Sequence, residues 1–547
     1  MQKVTTAHSQ PLFDVAATRR IEQLASSRLP PHTLMQRAGL AIARLTLALA
    51  PHSQCIWVAC GPGNNGGDGL EAATHLHQWG KRVVVTGIEP GKNGLPPDAQ
   101  DAHDRALTAG VTFTHQPPPN FDFSIDALLG IGTQLDPERE ATARMLHWLQ
   151  VMHDSSAPCL AVDLPSGLNA DTGASSAIYS GAACARNNSA RSQFTLSLLT
   201  LKPGLFTFEG RDSGGEVWFD DLGVEVTATE APSAWLLGAD STATPRRLHS
   251  AHKGSFGDIA VLGGESTASS QMAGAALLAA SAALHAGAGR VFVALLGDSF
   301  LTVNPSRPEL MFRSPDALDL RNQVVVCGCG GGTAVRAVLP KVLSTATRLV
   351  LDADALNAIA SDTQLQTLLK ARAARNYGTV LTPHPLEAAR LLQTSAAQIQ
   401  SDRLNAAAQL AEFYQAVVVL KGSGSVIAAP GQISRINLSG NALLATAGTG
   451  DVLAGMIGAA LAGSADAFDA ACSAVFKHGH IADGWGQTHT GEALTASKLA
   501  ASIQVSTINP ICRAMISTMA DKSIPPTDGI TRRSGVNSGS AKRPSKT

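Results

Sequence analysis

Two apolar patterns alternate along the chain. Short, mostly apolar runs at 56–60, 83–85, 123–129 (which carries a carboxylate), 159–162 and 196–201 predict buried strands. A second set follows at 259–262, 324–326, 349–351, 380–381 and 417–420. Between them, apolar residues recur every three or four positions. Leu34, Ala38, Ile42 and Leu45 form one such stripe, and Asp14 stands where it could cap the helix before it. Further helices are predicted through Gln78, over 271–286 and over 452–462. Strand and helix in alternation imply an α/β fold with parallel sheets, whose strand-end loops meet along one edge. Periodicity fades over 226–248, which is rich in Thr, Ser, Ala and Pro and reads as a linker. The division is therefore 1–225, a linker at 226–248, a second domain at 249–503, and an atypical tail at 504–547.

The polar residues concentrate at those strand ends. The first loop is Gly61-Pro62-Gly63-Asn64-Asn65-Gly66-Gly67-Asp68-Gly69. It matches the dinucleotide fingerprint literally, with Glu89 at a suitable distance. Pro62 is stiff where a turning backbone is wanted, however, and Asp68 would repel a pyrophosphate. The Asn and Asp oxygens suit a hard cation or sugar hydroxyls better. Asp126, followed by Gly130 and Gly132, and Asp163, followed by Pro165-Ser166-Gly167, end two more strands. In a parallel sheet all three carboxylates converge.

The second half repeats the arrangement with Asp352 and Asp354, with His384 between Pro383 and Pro385, and with Lys421-Gly422-Ser423-Gly424-Ser425. Last comes Gly448-Thr449-Gly450-Asp451, a glycine turn feeding an apolar helix. Such a turn presents unpaired N–H groups to an anion. Asp451 makes sense there as a base that takes a proton from a hydroxyl while the N–H groups hold phosphoryl charge. The competing reading is an N-cap aspartate. Cys327-x-Cys329 offers too few thiols for a metal and reads as small-residue packing, and His478-x-His480 lacks a third ligand.

Composition narrows the class. Net charge is -1, which argues against nucleic-acid or anionic-membrane partners. Eight scattered cysteines read as reduced thiols, and no secretory signal opens the chain, so a cytoplasmic protein is expected. From 522 to 547 there are six basic residues and one acidic, a composition expected to be disordered.

On these motifs the front half resembles the NAD(P)H-hydrate epimerase (YjeF N-terminal) family. The carriers are 63–69, Asp126 to Gly132, Asp163-Leu-Pro-Ser-Gly and Asp171-Thr-Gly173. The back half resembles the ADP-dependent NAD(P)H-hydrate dehydratases, through His252-Lys-Gly-x-Phe-Gly257, Asp352-Ala-Asp-Ala-Leu-Asn357, Thr382-Pro-His-Pro385, Lys421 to Ser425 and Ala447 to Asp451. The resemblance implies a Rossmann-like three-layer domain followed by a ribokinase-like α/β domain. The first would interconvert R and S hydrates of NADH and NADPH, and the second would dehydrate the S form with ADP, releasing AMP and phosphate.

The resemblance also implies site residues. Asn64, Asn65, Gly66, Gly67 and Asp68 would contact the hydrate in the first domain, as would Asp163. So would Gly130, Ile131, Gly132, Thr133, Gln134, Leu135 and Asp136. Asn65, Asp126 and Ser166 would hold potassium, and Asp163 would do acid–base work. In the second domain Ala273 or Ala276, Gly330, His384 and Asp451 would contact the hydrate. Lys421, Gly422, Ser423, Gly424, Ser425 and Gly450 would bind the nucleotide, with magnesium accompanying it, and Asp451 would be catalytic. A homo-oligomer is implied as well. The segment 186–193 is more polar than the family pattern. The alternative enzyme reading is a ribokinase-like kinase of a vitamin precursor fused to a nucleotide-binding domain. A different class is a non-catalytic nucleotide sensor, against which Asp163 and the Asn64-Asn65 pair weigh.

Overall fold

A computed structural model describes residues 1–505 except 89–93, 133–139, 176–192, 228, 243–247, 299–300 and 464–465. Thr133, Gln134, Leu135, Asp136, Glu89, most of the polar 186–193 segment and the tail beyond 505 therefore lie outside the described residues.

Among the described residues, two large sheets carry the chain. The first has eight strands, with Cys55–Cys60 at its centre between Phe123–Ala127 and Arg82–Gly87. Cys159–Val162, Phe194–Leu198 and Glu216–Asp220 extend it on one side, all parallel. Central strands are buried on both faces, which is why they read as unbroken apolar runs. Order reverses at Cys55–Cys60, so a crevice opens beyond the carboxyl ends of that strand and Phe123–Ala127. Asp14 caps the helix Val15–Ser26 by accepting from Ala17 N at 2.7 Å. Ala38, Ile42 and Leu45 of the helix Thr33–Leu49 pack into the core below.

The second sheet has eleven strands. Asp258–Ser266 lies between Arg290–Gly297 and Val324–Cys327, and Arg348–Leu351, Gly378–Leu381 and Val417–Leu420 follow in parallel. Its far side departs from the expected organisation. Ala234–Leu237, inside the stretch read as a linker, is a buried strand parallel to Arg435–Asn437. Gln10–Leu12 from the chain's start pairs antiparallel with Ala234–Leu237 at the edge, where Pro11 is tolerated. The two halves are thus woven together rather than strung on a flexible connector. No helix among the described residues is long and apolar enough to cross a membrane.

Candidate active sites

The crevice of the first sheet is a cleft of about 750 Å³. Asn64, Asn65, Asp68, Gly130, Ile131, Gly132 and Asp163 all line it, so the three strand ends do converge. Gly66 and Gly67 lie beneath, where no side chain fits. A Cβ on Gly66 would stand 1.9 Å from Gly61 O, and one on Gly67 would stand 2.5 Å from Met35. Asp163 holds a left-handed backbone at φ 66°, which aims its carboxylate back over the strand ends. One oxygen accepts from Leu198 N–H at 3.1 Å and pairs with the Lys202 ammonium. Lys202 is fully buried, and its Nζ also donates to Leu198 O at 2.7 Å. Burial, reinforced by Asp163, pushes the Asp68 carboxyl well above its ordinary range. Burial and Asp163 likewise raise Glu22, which enters the cleft from the helix Val15–Ser26.

Asp126 and Ser166 form a linked pair behind the cleft. Ser166 donates its N–H at 2.9 Å and its hydroxyl at 2.7 Å to Asp126, whose pKa burial raises. Asn65, the third expected potassium ligand, carries a buried amide nitrogen with no hydrogen-bond partner. Amide N and O exchange by a simple flip, so that position can present an oxygen instead. Carboxylate, hydroxyl and amide oxygens are hard donors of the kind that would suit potassium.

The second site gathers side chains from four strand ends and one helix. Asp352 Oδ1 accepts from Lys421 Nζ at 2.6 Å and from the Thr382 hydroxyl at 2.7 Å. Burial alone would lower Lys421, but Asp352 and Glu387 outweigh it and keep the ammonium charged. Asp451 is the third residue of the helix Thr449–Gly463, inside its first turn, so the N-cap reading is wrong. Burial, with Asp352 nearby, pushes Asp451 up to about 6. Gly448 sits at φ 89°, and a Cβ there would strike Leu278 at 2.6 Å. A Cβ on Gly450 would come within 3.5 Å of Lys421 Nζ. The glycine turn, the ammonium and the carboxylate therefore share one small space.

Several neighbours were not expected there. Cys329, read as packing, directs its thiol to Asp352 Oδ2 at 3.9 Å, and its sulfur and the Asp352 and Asp451 oxygens lie within 4.8 Å of one another. With Asp352 held by Lys421 and a thiol as third member, that set does not fit magnesium, which wants oxygen in octahedral array. His478, which the histidine pair left unplaced, is buried and bonds Thr449 O at 3.0 Å, bracing the turn from below. Burial lowers it to about 4, so the ring is neutral, while His480 faces outward. His384 caps the helix Pro385–Leu392 through Nδ1, which accepts from Leu386 and Glu387 N–H, leaving the ring proton on Nε2. Gly330, at φ 57°, packs on Met272 and Ala275. Ala273 is half-exposed in the first turn of its helix, whereas Ala276 is wholly buried and faces the core. Gly422 and Ser423 are exposed, and Gly424 is buried.

Lys202, Glu22 and Cys329 are site members that sequence reasoning passed over as such, and Asp352 was read only as a strand-end carboxylate without a role. Lys202 carried a usable signal: a lysine closing an apolar run and followed by proline has little room to reach solvent.

Comparison with known proteins covers both halves. Residues 31–204 match the YjeF-related protein N-terminus family, and residues 259–505 match the NAD(P)H-hydrate dehydratase family. The bifunctional NAD(P)H-hydrate repair enzyme Nnr of Escherichia coli is 36% identical over 83% of this chain and 85% of its own. That of Coxiella burnetii is 33% identical over 91% of this chain and 99% of its own. The ADP-dependent (S)-NAD(P)H-hydrate dehydratase of Neisseria meningitidis is 44% identical over 43% of this chain and 80% of its own.

Proposed function

The chain belongs to the family of bifunctional NAD(P)H-hydrate repair enzymes, and from that membership we propose how its residues divide the labour. It is an enzyme with two activities, epimerisation of the R and S hydrates and ADP-dependent dehydration of the S hydrate. The first cleft takes the hydrate, with Asp163 as the acid–base group. Inversion at a carbon bearing a hydroxyl and a nitrogen needs its C–O bond to break. An acid protonates the hydroxyl, which leaves as water while the nitrogen's electron pair forms an iminium, and water adds to the other face as a base takes its proton. A carboxylate paired with an ammonium and a second whose pKa burial raises, Asp163 and Asp68, suit the base and acid roles. The body at 1–225 carries this activity, and the body at 249–503 carries the second.

One observation supports the second assignment most: the Asp451 carboxylate, the Lys421 ammonium and a glycine turn at a helix start surround one point. Hydroxide leaves poorly. ADP passes its terminal phosphoryl to the hydrate hydroxyl, giving AMP, and the phosphate ester then eliminates to restore the reduced ring. Asp451 takes the hydroxyl proton, and the N–H groups of the turn meet phosphoryl charge. Lys421 with the 422–425 turn holds the nucleotide, whose phosphate charge a magnesium ion would help to neutralise. His384, whose Nε2 lies 3.3 Å from Glu387 Oε1, and Gly330 meet the hydrate.

Two expectations test this reading. Asp451 must be ionised to act as a base, so the dehydration rate should rise with pH through about 6 and level off above it. A kcat/KM profile flat through that region contradicts the role. For the first site, Asn65, Asp126 and Ser166 would hold potassium, which would fix the floor of the cleft as a positive charge. Exchanging potassium for choline at constant ionic strength should slow epimerisation several-fold and spare dehydration. Equal epimer exchange in both salts, followed by chromatography of the two hydrates, would remove the cation from the account.

A further inference from the structure

The segment just after Lys202 leaves the first site and runs against the second. Thr207 is wholly buried. Its hydroxyl lies 3.1 Å from Arg403 Nε, 3.3 Å from Gly424 O and 3.5 Å from Ser423 O. Phe208 N–H donates to Ser423 O at 3.0 Å. Gly424, at φ 63°, lets the backbones meet, since a Cβ there would stand 2.0 Å from Phe206 O. Arg403, buried in the helix Arg403–Tyr414, donates Nη2 to Leu420 O at 3.1 Å and Lys421 O at 3.2 Å. Arg211, in the short helix Gly210–Ser213, donates Nη2 to Leu438 O at 2.8 Å and Gly440 O at 2.9 Å. Gly440 leads through Asn441 into the glycine turn.

We propose that Thr207 and Arg211, from the epimerase half, are positioning residues for the dehydratase's nucleotide, fixing the 421–425 turn and the 438–440 loop without touching the ligand. The proposal rests on the reading of 421–425 as the nucleotide turn. Physically, Gly424 is buried, and its carbonyl and that of Ser423 face donors from the first half, the Thr207 hydroxyl and the Phe208 N–H. Remove the Thr207 hydroxyl and Arg403 Nε loses its acceptor while the Gly424 carbonyl loses a donor, Ser423 O keeping the Phe208 N–H. The turn then relaxes toward other shapes, and the nucleotide must reorganise it on binding. Affinity falls although no contact to ADP has changed.

The test uses the full chain. The dissociation constant for ADP is measured by titration calorimetry for Thr207→Val, Thr207→Ser, Arg211→Met and Lys421→Gln, alongside R-to-S epimerisation. Thr207→Val and Arg211→Met should each weaken ADP about 5- to 30-fold, the effect of one or two buried hydrogen bonds. Their kcat at saturating ADP and their epimerisation should stay within about twofold of wild type, and Thr207→Ser should restore the affinity. Unchanged ADP affinity in both Thr207→Val and Arg211→Met overturns the proposal. So does joint loss of ADP binding and epimerisation, which would mark a general packing defect. If Lys421→Gln itself leaves ADP affinity unchanged, the nucleotide turn is misassigned and the proposal falls with it.

Discussion

Asp451→Asn is expected to lower ADP-dependent dehydration at least about 100-fold while epimerisation continues at the wild-type rate. The substitution is close to isosteric. It keeps the side chain's shape beside the Cys329 sulfur and removes the negative charge and with it the capacity to take a proton. Position three of the helix Thr449–Gly463 tolerates asparagine at little cost, so the fold should survive. Asp352 cannot substitute, because one of its oxygens is committed to Lys421 and Thr382. The loss should therefore appear in kcat, with ADP affinity preserved or improved, since a negative charge beside the phosphates is gone. Hydrate dehydration measured by the return of reduced-nicotinamide absorbance is the check, and an unimpaired rate removes Asp451 from the chemistry.

The second large effect is expected at Asp163. Asp163→Asn should slow epimerisation by about 10²- to 10⁴-fold and leave dehydration of pure S hydrate unchanged. Asparagine is among the residues that accept the left-handed backbone Asp163 adopts at φ 66°, so the turn should persist. Lys202 would lose its charge partner, but its ammonium still has Leu198 O at 2.7 Å. Some stability loss follows from leaving a buried cation underpaired. A melting temperature measured beside the rate separates that cost from lost catalysis. Normal epimer exchange in a folded Asp163→Asn protein contradicts the assignment.

Much of this organisation was legible in the chain itself, for identifiable reasons. Central strands of a parallel sheet are buried on both faces, and so 56–60, 324–326 and 417–420 could be read directly. The helix end at Gln78 and the Asp14 cap follow from local signals. What escaped depends on tertiary partners. Ala234–Leu237 is four residues long, follows a proline, and becomes a strand only because Arg435–Asn437 lies beside it. Nothing in the pattern around Lys202 names Asp163 as its partner across the sheet end. Cys329 looked like filler among glycines, and only folding brings it between Asp352 and Asp451. His478 was visible as a histidine but not as the brace under Thr449.

The central claim is that two sites in one chain complete a repair that neither finishes alone. It is tested most directly by giving an equal mixture of R and S hydrates, with ADP, to wild type, Asp163→Asn, Asp451→Asn and the two variants combined. Wild type should return all of the reduced nicotinamide, and Asp163→Asn should stall after the S half. Asp451→Asn should return almost none, and the combined variants should complete the recovery if the hydrate diffuses between sites. Full recovery by Asp163→Asn as fast as wild type, or a stable phosphorylated product in place of reduced nicotinamide, would contradict the account.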